Sequence, residues 1–152
     1  MSMVKIVNRD ITTVTAGILC HGVNCQGAMG SGVAKAIKEK WPEVYQIFKN
    51  SDVGRDMLGA IKMVKPSGYP DLTIYNCYTQ EYYGRDGKRY ASLDAVRESL
   101  YKIFRIAETT NETIHLPKIG CGLGGLDWDS EVSPVITKYS ESFEVPVYVY
   151  EI

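Results

Sequence analysis

The sequence has no Cys-x-x-Cys pair, no Gly-Lys-Ser/Thr, no block of like charges and no long apolar segment at its N-terminus. Each absence removes a class of function. The four cysteines, Cys20, Cys25, Cys77 and Cys121, fall in or beside apolar runs without ligand spacing. They fit reduced, mostly buried thiols of a cytoplasmic protein, and no metal site is expected. Without the lysine that a P-loop places on terminal phosphates, ATP or GTP hydrolysis is not indicated. A net charge of −1 supplies no basic face for tight nonspecific binding of nucleic acid. Neither a secretory signal nor a membrane span is expected.

What is present begins with a glycine-rich bend. Val14 to Val23 is a β-branched and aliphatic run that reads as a buried strand, and Asn24 to Ala34 follows it with Gly27, Gly30 and Gly32. From Ser31 to Lys49 the residues Val33, Ala34, Ile37, Trp41, Val44, Tyr45 and Phe48 recur at helical spacing, which predicts one amphipathic helix. A helix entered through glycines presents unpaired N–H groups and the positive end of its dipole, an arrangement suited to phosphate. Glycines also serve simply to make a tight strand-to-helix connection, and the bend alone leaves both readings open.

At 152 residues the chain is expected to form one domain, 1–152, burying roughly two-thirds of its unfolded surface without disulfides. Val4 to Val7 reads as the first strand. Asp10-Ile11-Thr12 is a turn in which Asp10 either caps local N–H groups or accepts from an exocyclic amine such as that of adenine. Strands are predicted at 60–64 and Leu72 to Tyr78. Between Thr79 and Ala91 lies a long irregular segment with Tyr82, Tyr83, Arg85, Lys88, Arg89 and Tyr90, read either as a wall of a site or as an exposed hairpin. Ser92 caps a helix with Leu93, Val96, Leu100, Ile103, Phe104 and Ala107 on one face. Thr113 to Pro117 is a strand in which His115 faces outward or is a satisfied core histidine. A helix from about Trp128 to Ser142, its regular part starting near Ser130 to accommodate Pro134, and a closing strand Val145 to Tyr150 complete the order ββαββαβαβ. That order predicts one α/β sheet with helices on both faces.

The second glycine-rich segment runs from Lys118 to Asp127 and contains G-x-G-x-x-G at Gly120, Gly122 and Gly125. A dinucleotide fold would need a second mononucleotide half, and only one strand remains. Two such bends, each leaving a strand and opening a helix, suit the two phosphates of a diphosphate.

Along nearly its whole length the chain resembles a macrodomain, through Asp10-Ile11-Thr12, Asn24 to Ala34 and Leu116-Pro117-Lys118-Ile119-Gly120-Cys121-Gly122-Leu123. It is most similar to the branch holding ADP-ribose 1''-phosphate phosphatases and terminal ADP-ribose glycohydrolases. The resemblance implies a three-layer α/β/α fold with a six-stranded mixed sheet. It implies ADP-ribose or ADP-ribose 1''-phosphate as the small-molecule partner, no cofactor and a monomer. By position, Asp10 and Ile11 would meet adenine, and Asn24 would lie near the distal ribose. Gly30, Ser31, Gly32, Val33 and Ala34 would wrap the pyrophosphate and distal ribose together with Ile119, Gly120, Cys121, Gly122, Leu123 and Gly124. Tyr150 and Ile152 would border the adenine pocket.

Two departures bear on chemistry. Where the glycohydrolase subgroup has a lysine after the strand at Leu72–Tyr78, this chain has Gln80; where it has an aspartate after Gly-Cys-Gly-Leu, this chain has Gly124. Lys88 and Asp127 stand nearby in sequence but match neither motif position. No C-x5-R loop occurs, since Asp127 follows Cys121 where the arginine would be. The expected chemistry is water attack on the anomeric phosphate, with Asp127 assisting and His21 or the longer loop completing proton transfer. Asp127 as a helix cap and His21 as a histidine bonded within the sheet remain the alternatives. Three functions follow: the phosphatase, an ADP-ribosyl hydrolase acting on protein or nucleic acid, and a reader that binds ADP-ribose without turnover.

Overall fold

The structure is a computed structural model that describes residues 3–25, 32–50, 54–82 and 89–151. Its strands are β1 (Val4–Val7), β2 (Gly17–Asn24), β3 (Ile61–Val64), β4 (Leu72–Gln80), β5 (Ile114–Pro117) and β6 (Val147–Tyr150). They form one sheet in the order β1-β6-β5-β2-β4-β3. Every pairing is parallel except β3 with β4. The expected six-stranded mixed sheet is present.

Alternation along the strands divides the core into two layers. Ile18, Cys20 and Cys77 face one side with Leu116, Val147 and Val149, and are covered by α3 (Leu93–Thr110) and α4 (Ser133–Phe143) through Val96, Leu100, Phe104 and Ile136. Leu19, Val23, Ile74 and Tyr78 face the other side, beneath Ile37 of α1 (Gly32–Lys40) and Val44 and Phe48 of α2 (Pro42–Lys49). Among the described residues no helix is long and apolar enough to cross a membrane.

The single helix expected over 31–49 is two helices. Trp41 has φ −129° and ψ 84°, outside the helical region, because the ring of Pro42 disfavours a helical conformation in the residue before it. Pro42 then opens α2, where a missing N–H costs nothing. The strand expected from Val14 begins at Gly17, and Val14 to Ala16 belong to the connection before it.

α3 follows the sequence closely: the Ser92 hydroxyl accepts from the Ala95 N–H at 3.2 Å, and Asn111 in the left-handed region ends the helix. α4 starts later than expected. Trp128–Val132 is a π-helical turn in which the Val132 N–H donates to the Asp127 carbonyl at 3.2 Å, and regular helix begins at Ser133. Pro134 sits in that first turn, where no N–H is needed.

Candidate functional site

In open α/β sheets, ligands bind outside the carboxyl ends of the strands, where connections leave neighbouring strands in opposite directions. Here that place is the β2/β5 boundary: the chain leaves β2 towards β4, while β5 leads outward to β6. The first glycine bend leaves β2 and the second leaves β5, so both emerge at the same end of adjacent parallel strands.

The second bend is pressed against its neighbours. A Cβ on Gly22 of β2 would lie 3.3 Å from Ile119 Cγ1 and 2.6 Å from Thr79 Oγ1, so glycine alone allows the bend this close. Ile119 is buried and Gly124 is buried, and the Gly124 carbonyl accepts from the N–H groups of Tyr90 and Ala91, each at 2.9 Å. Within the bend, the Cys121 N–H turns inward to Lys118 O, Gly124 N–H to Cys121 O, Gly125 N–H to Gly122 O and Leu126 N–H to Gly120 O. Among the described residues, none of these inward bonds uses the N–H of Gly122 or Leu123, which open the 3-10 turn Gly122–Gly124. The first N–H groups of a helical turn have no acceptor behind them, so within the bend these two are left without a backbone partner.

Asn24, at the end of β2, is 7% exposed and pairs in register with Gln80 at the end of β4. Gln80 stands where the resemblance to the glycohydrolase subgroup leads one to expect a lysine. Its Oε1 lies 3.4 Å from where a Cβ on Gly124 would be, and its Nε2 donates to the Tyr82 carbonyl at 2.7 Å. It therefore joins the β4 exit to the second bend beside Asn24. The signal for this was the sheet order, which local sequence does not carry.

On the adenine side of the expected cleft, the Asp10 Oδ1 accepts from the N–H of Thr12 at 2.9 Å and its hydroxyl at 2.8 Å. These bonds hold the carboxyl below the usual carboxylate range. Asp10 caps the 3-10 turn Ile11–Thr13, in which Ile11 is buried. Tyr150, at the end of β6, is 8% exposed and shares a 2.7 Å hydrogen bond with His115 Nδ1. His115, half-buried, also stacks on Tyr148 with ring centroids 5.6 Å apart and 13° between planes. Gly32, Val33 and Ala34 open α1, with Gly32 at φ +63° and Val33 exposed. Gly30, Ser31, Lys88 and Ile152 lie outside the described residues.

The expected proton transfer by His21 is corrected. His21 points into the layer beneath α2, is 1% exposed, and its Nε2 lies 2.6 Å from Asn76 Oδ1. The Asn76 amide in turn donates to the Val44 carbonyl at 3.3 Å. Burial pushes the imidazole pKa down to about 4, partly opposed by the Asn76 bond. A neutral ring shut off from solvent does not shuttle protons at neutral pH, so His21 holds β2, β4 and α2 together.

Asp127 caps the turn into α4, its Oδ2 accepting from the Ser130 N–H at 2.8 Å and hydroxyl at 2.6 Å. Glu131 reaches back to the Asp127 N–H at 2.9 Å, a reciprocal cap, and is ion-paired with Arg89. The Ser130 bonds hold the Asp127 carboxyl below its usual value, so this fully exposed group is ionised at neutral pH. Cys121 differs: burial pushes its thiol up to about 11, with Asp127 and Glu131 adding to the rise and Lys118 opposing it. It is a neutral thiol at pH 7 and not a nucleophile. Among the described residues no group of His, Cys, Asp and Glu is arranged to hold a metal ion.

A family profile described as "Macro domain" matches residues 20–134. The chain is 32% identical over 98% of its length to a protein of Thermus aquaticus named DNA ADP-ribosyl glycohydrolase, covering 41% of that protein. It is 25% identical to a protein of Meyerozyma guilliermondii named ADP-ribose 1''-phosphate phosphatase, over 97% of this chain and 99% of the other. Among solved structures, that of Thermosipho africanus DarTG in complex with ADP-ribose superposes with TM-score 0.77 at 24% identity, over 97% of this chain and 41% of that one. The chain spans about two-fifths of the length of the glycohydrolases it matches.

Proposed function

Because the chain belongs to the Macro domain family, we propose that it binds ADP-ribose across the two glycine bends and removes phosphate from ADP-ribose 1''-phosphate. The observation that carries this reading is the second bend, which offers the N–H groups of Gly122 and Leu123 beside Asn24 and Gln80 where β2, β4 and β5 end. Near-complete two-way coverage of the Meyerozyma guilliermondii phosphatase supports the same activity.

In this reading the diphosphate lies between the bends, with Asp10, Ile11 and Tyr150 towards adenine and Asn24 towards the distal ribose. Gly32, Val33 and Ala34 flank it from the first bend, and Ile119, Gly120, Cys121 and Gly124 shape the second. Main-chain N–H groups stabilise the charge that builds on the phosphoryl oxygens. A water oxygen bonds to phosphorus, the bond from phosphorus to the C1'' oxygen breaks, and Asp127, ionised and exposed, takes the water proton. The leaving oxygen takes up a proton from solvent, giving inorganic phosphate and ADP-ribose. No covalent enzyme intermediate is formed.

The test is to incubate the purified protein with ADP-ribose 1''-phosphate in H2-18O. Released phosphate carrying one label supports attack at phosphorus. Unlabelled phosphate would move the attack to C1'' and overturn the step at phosphorus, and no phosphate, with ADP-ribose still binding calorimetrically, overturns the phosphatase reading. The 32% identity to the Thermus aquaticus glycohydrolase favours a second reading, release of ADP-ribose from modified DNA. Gln80 in place of the lysine expected for that subgroup opposes it, and the same preparation assayed on ADP-ribosylated DNA separates the two.

A further inference from the structure

The connection from β1 to β2 must cross from the carboxyl end of one strand to the amino end of the other, over the faces of β6 and β5. Such crossovers are usually helical and cover the sheet. This one contains only the 3-10 turn Ile11–Thr13, and α1 and α2 lie instead over β2, β3 and β4. The face of β5 and β6 beneath the connection is left partly open as a cavity of about 520 Å3, lined by Arg9, Thr15, Gly17, His115, Tyr148 and Tyr150 among others.

Its floor is set by strand alternation. Val147 and Val149 turn into the α3/α4 layer, so Tyr148 and Tyr150 turn into the cavity, with His115 opposite Tyr148 in the register of β5 and β6. His115 lies parallel to Tyr148 and is tied to the Tyr150 hydroxyl, which fixes three rings in a row. Gly17, at φ +92°, passes His115 so closely that a Cβ there would lie 3.3 Å from Nε2. Among the lining residues is Arg9, exposed and in no ion pair with a carboxylate among the described residues.

We propose that this cavity is a second ligand site, for a nucleoside 5'-monophosphate whose base extends the His115–Tyr148 stack and whose phosphate meets Arg9. The cavity falls within the size range of small-molecule sites, about 300–1,000 Å3. A fixed aromatic stack favours a flat heteroaromatic ring irrespective of which base it is, and an exposed, planar guanidinium favours bidentate contact with two oxygens of a phosphate. The site is separate from the bends at β2 and β5 and does not depend on what they bind, although Tyr150 stands between the two.

The experiment uses the whole chain with isotope-labelled histidine and tyrosine, titrated with AMP by NMR in the presence of saturating ADP-ribose, so that any adenosine pocket of the cleft is filled. Saturable shifts of the His115 and Tyr148 ring signals are expected, with Kd on the order of 1 mM or tighter. Adenosine should bind at least about tenfold more weakly than AMP, and Arg9→Gln should abolish that difference. Tyr148→Ser should remove AMP binding while ADP-ribose still binds, which also shows that the variant is folded. Unmoved His115 and Tyr148 signals, or AMP binding that ADP-ribose fully displaces, overturns the proposal. If ADP-ribose itself fails to bind, the same ring signals still report AMP, so the two readings fail separately.

Discussion

The Tyr150 hydroxyl and His115 Nδ1 are 2.7 Å apart, joining the last residue of β6 to the middle of β5. Burial holds the His115 imidazole below its usual pKa, so the ring is neutral at pH 7 and one partner supplies the only proton in the bond. Tyr150 is thereby held in one orientation at the carboxyl end of the sheet. His115→Phe keeps the ring and removes the nitrogen. It is expected to weaken ADP-ribose binding by about two- to thirteenfold, the worth of one hydrogen bond of roughly 0.5–1.5 kcal/mol. Tyr150→Phe should weaken it similarly, and calorimetry on the double variant should show no further loss, as for two groups acting through one bond.

Gly22 sets how near the second bend comes to β2. In Gly22→Ala the added carbon meets the Thr79 hydroxyl at 2.6 Å and the Ile119 side chain at 3.3 Å, and the bend carrying Gly122 and Leu123 is displaced. Overpacking of this kind costs about 1–3 kcal/mol. The expected result is a lower urea midpoint and a loss of ADP-ribose affinity larger than the stability change alone explains. Unchanged affinity would mean that the bend does not touch the ligand.

Histidine 21 makes stability depend on pH. Its folded pKa of about 4 lies below the unfolded value of 6.5, so below pH 6.5 the unfolded chain binds a proton that the folded chain refuses. Stability from this group is fully present above pH 6.5. It falls by about 1.4 kcal/mol per pH unit between 6.5 and about 4, and is then exhausted. Urea unfolding across that window should show the slope, and His21→Gln should flatten it while lowering stability at pH 7.5. An equal slope in both proteins would place the titration elsewhere.

Much of this architecture was legible because the strands and α3 announce themselves locally. Ser92 caps, Leu93 to Ala107 keep one face apolar, and β-branched runs bounded by glycine mark the sheet. The break at Trp41 was not legible for a physical reason: Ile37, Trp41, Val44 and Phe48 keep helical spacing across it, since Pro42 starts a second helix on the same buried face. The π-helical turn at 128–132 hid in the same way, because Asp127, Ser130 and Glu131 make an ordinary capping pattern stretched by one residue. At the site, the glycine bends could be read from spacing. The Gln80–Gly124 approach and the His115–Tyr150 bond could not, because sheet order creates both.

Asp127 carries two loads that substitution can separate. As a cap it accepts from Ser130 through Oδ2, and asparagine caps about as well as aspartate, so Asp127→Asn should change Tm by no more than a few degrees. Asp127→Ala loses the cap and about 1 kcal/mol. As the proposed base it needs a carboxylate, so both variants should cut phosphate release by on the order of 100-fold or more with ADP-ribose affinity retained. Full activity in Asp127→Asn would leave the residue a cap alone.

Gln80 tests whether the β4 exit belongs to the site. Its side chain bridges the Tyr82 carbonyl and the Gly124 surface, beside Asn24 across the β2–β4 pairing. Gln80→Met fills nearly the same volume but neither donates to Tyr82 nor offers an amide oxygen beside Gly124. Packing should therefore survive, with the urea midpoint little changed, because only one partly exposed hydrogen bond is lost. If the distal ribose lies where Asn24, Gln80 and Gly124 meet, kcat/KM for ADP-ribose 1''-phosphate should fall about tenfold or more while AMP binding to the β5/β6 cavity stays as it was. Equal kinetics in the two proteins would put the distal ribose elsewhere, since an amide lining that pocket cannot be exchanged for a thioether without its hydroxyls registering the loss.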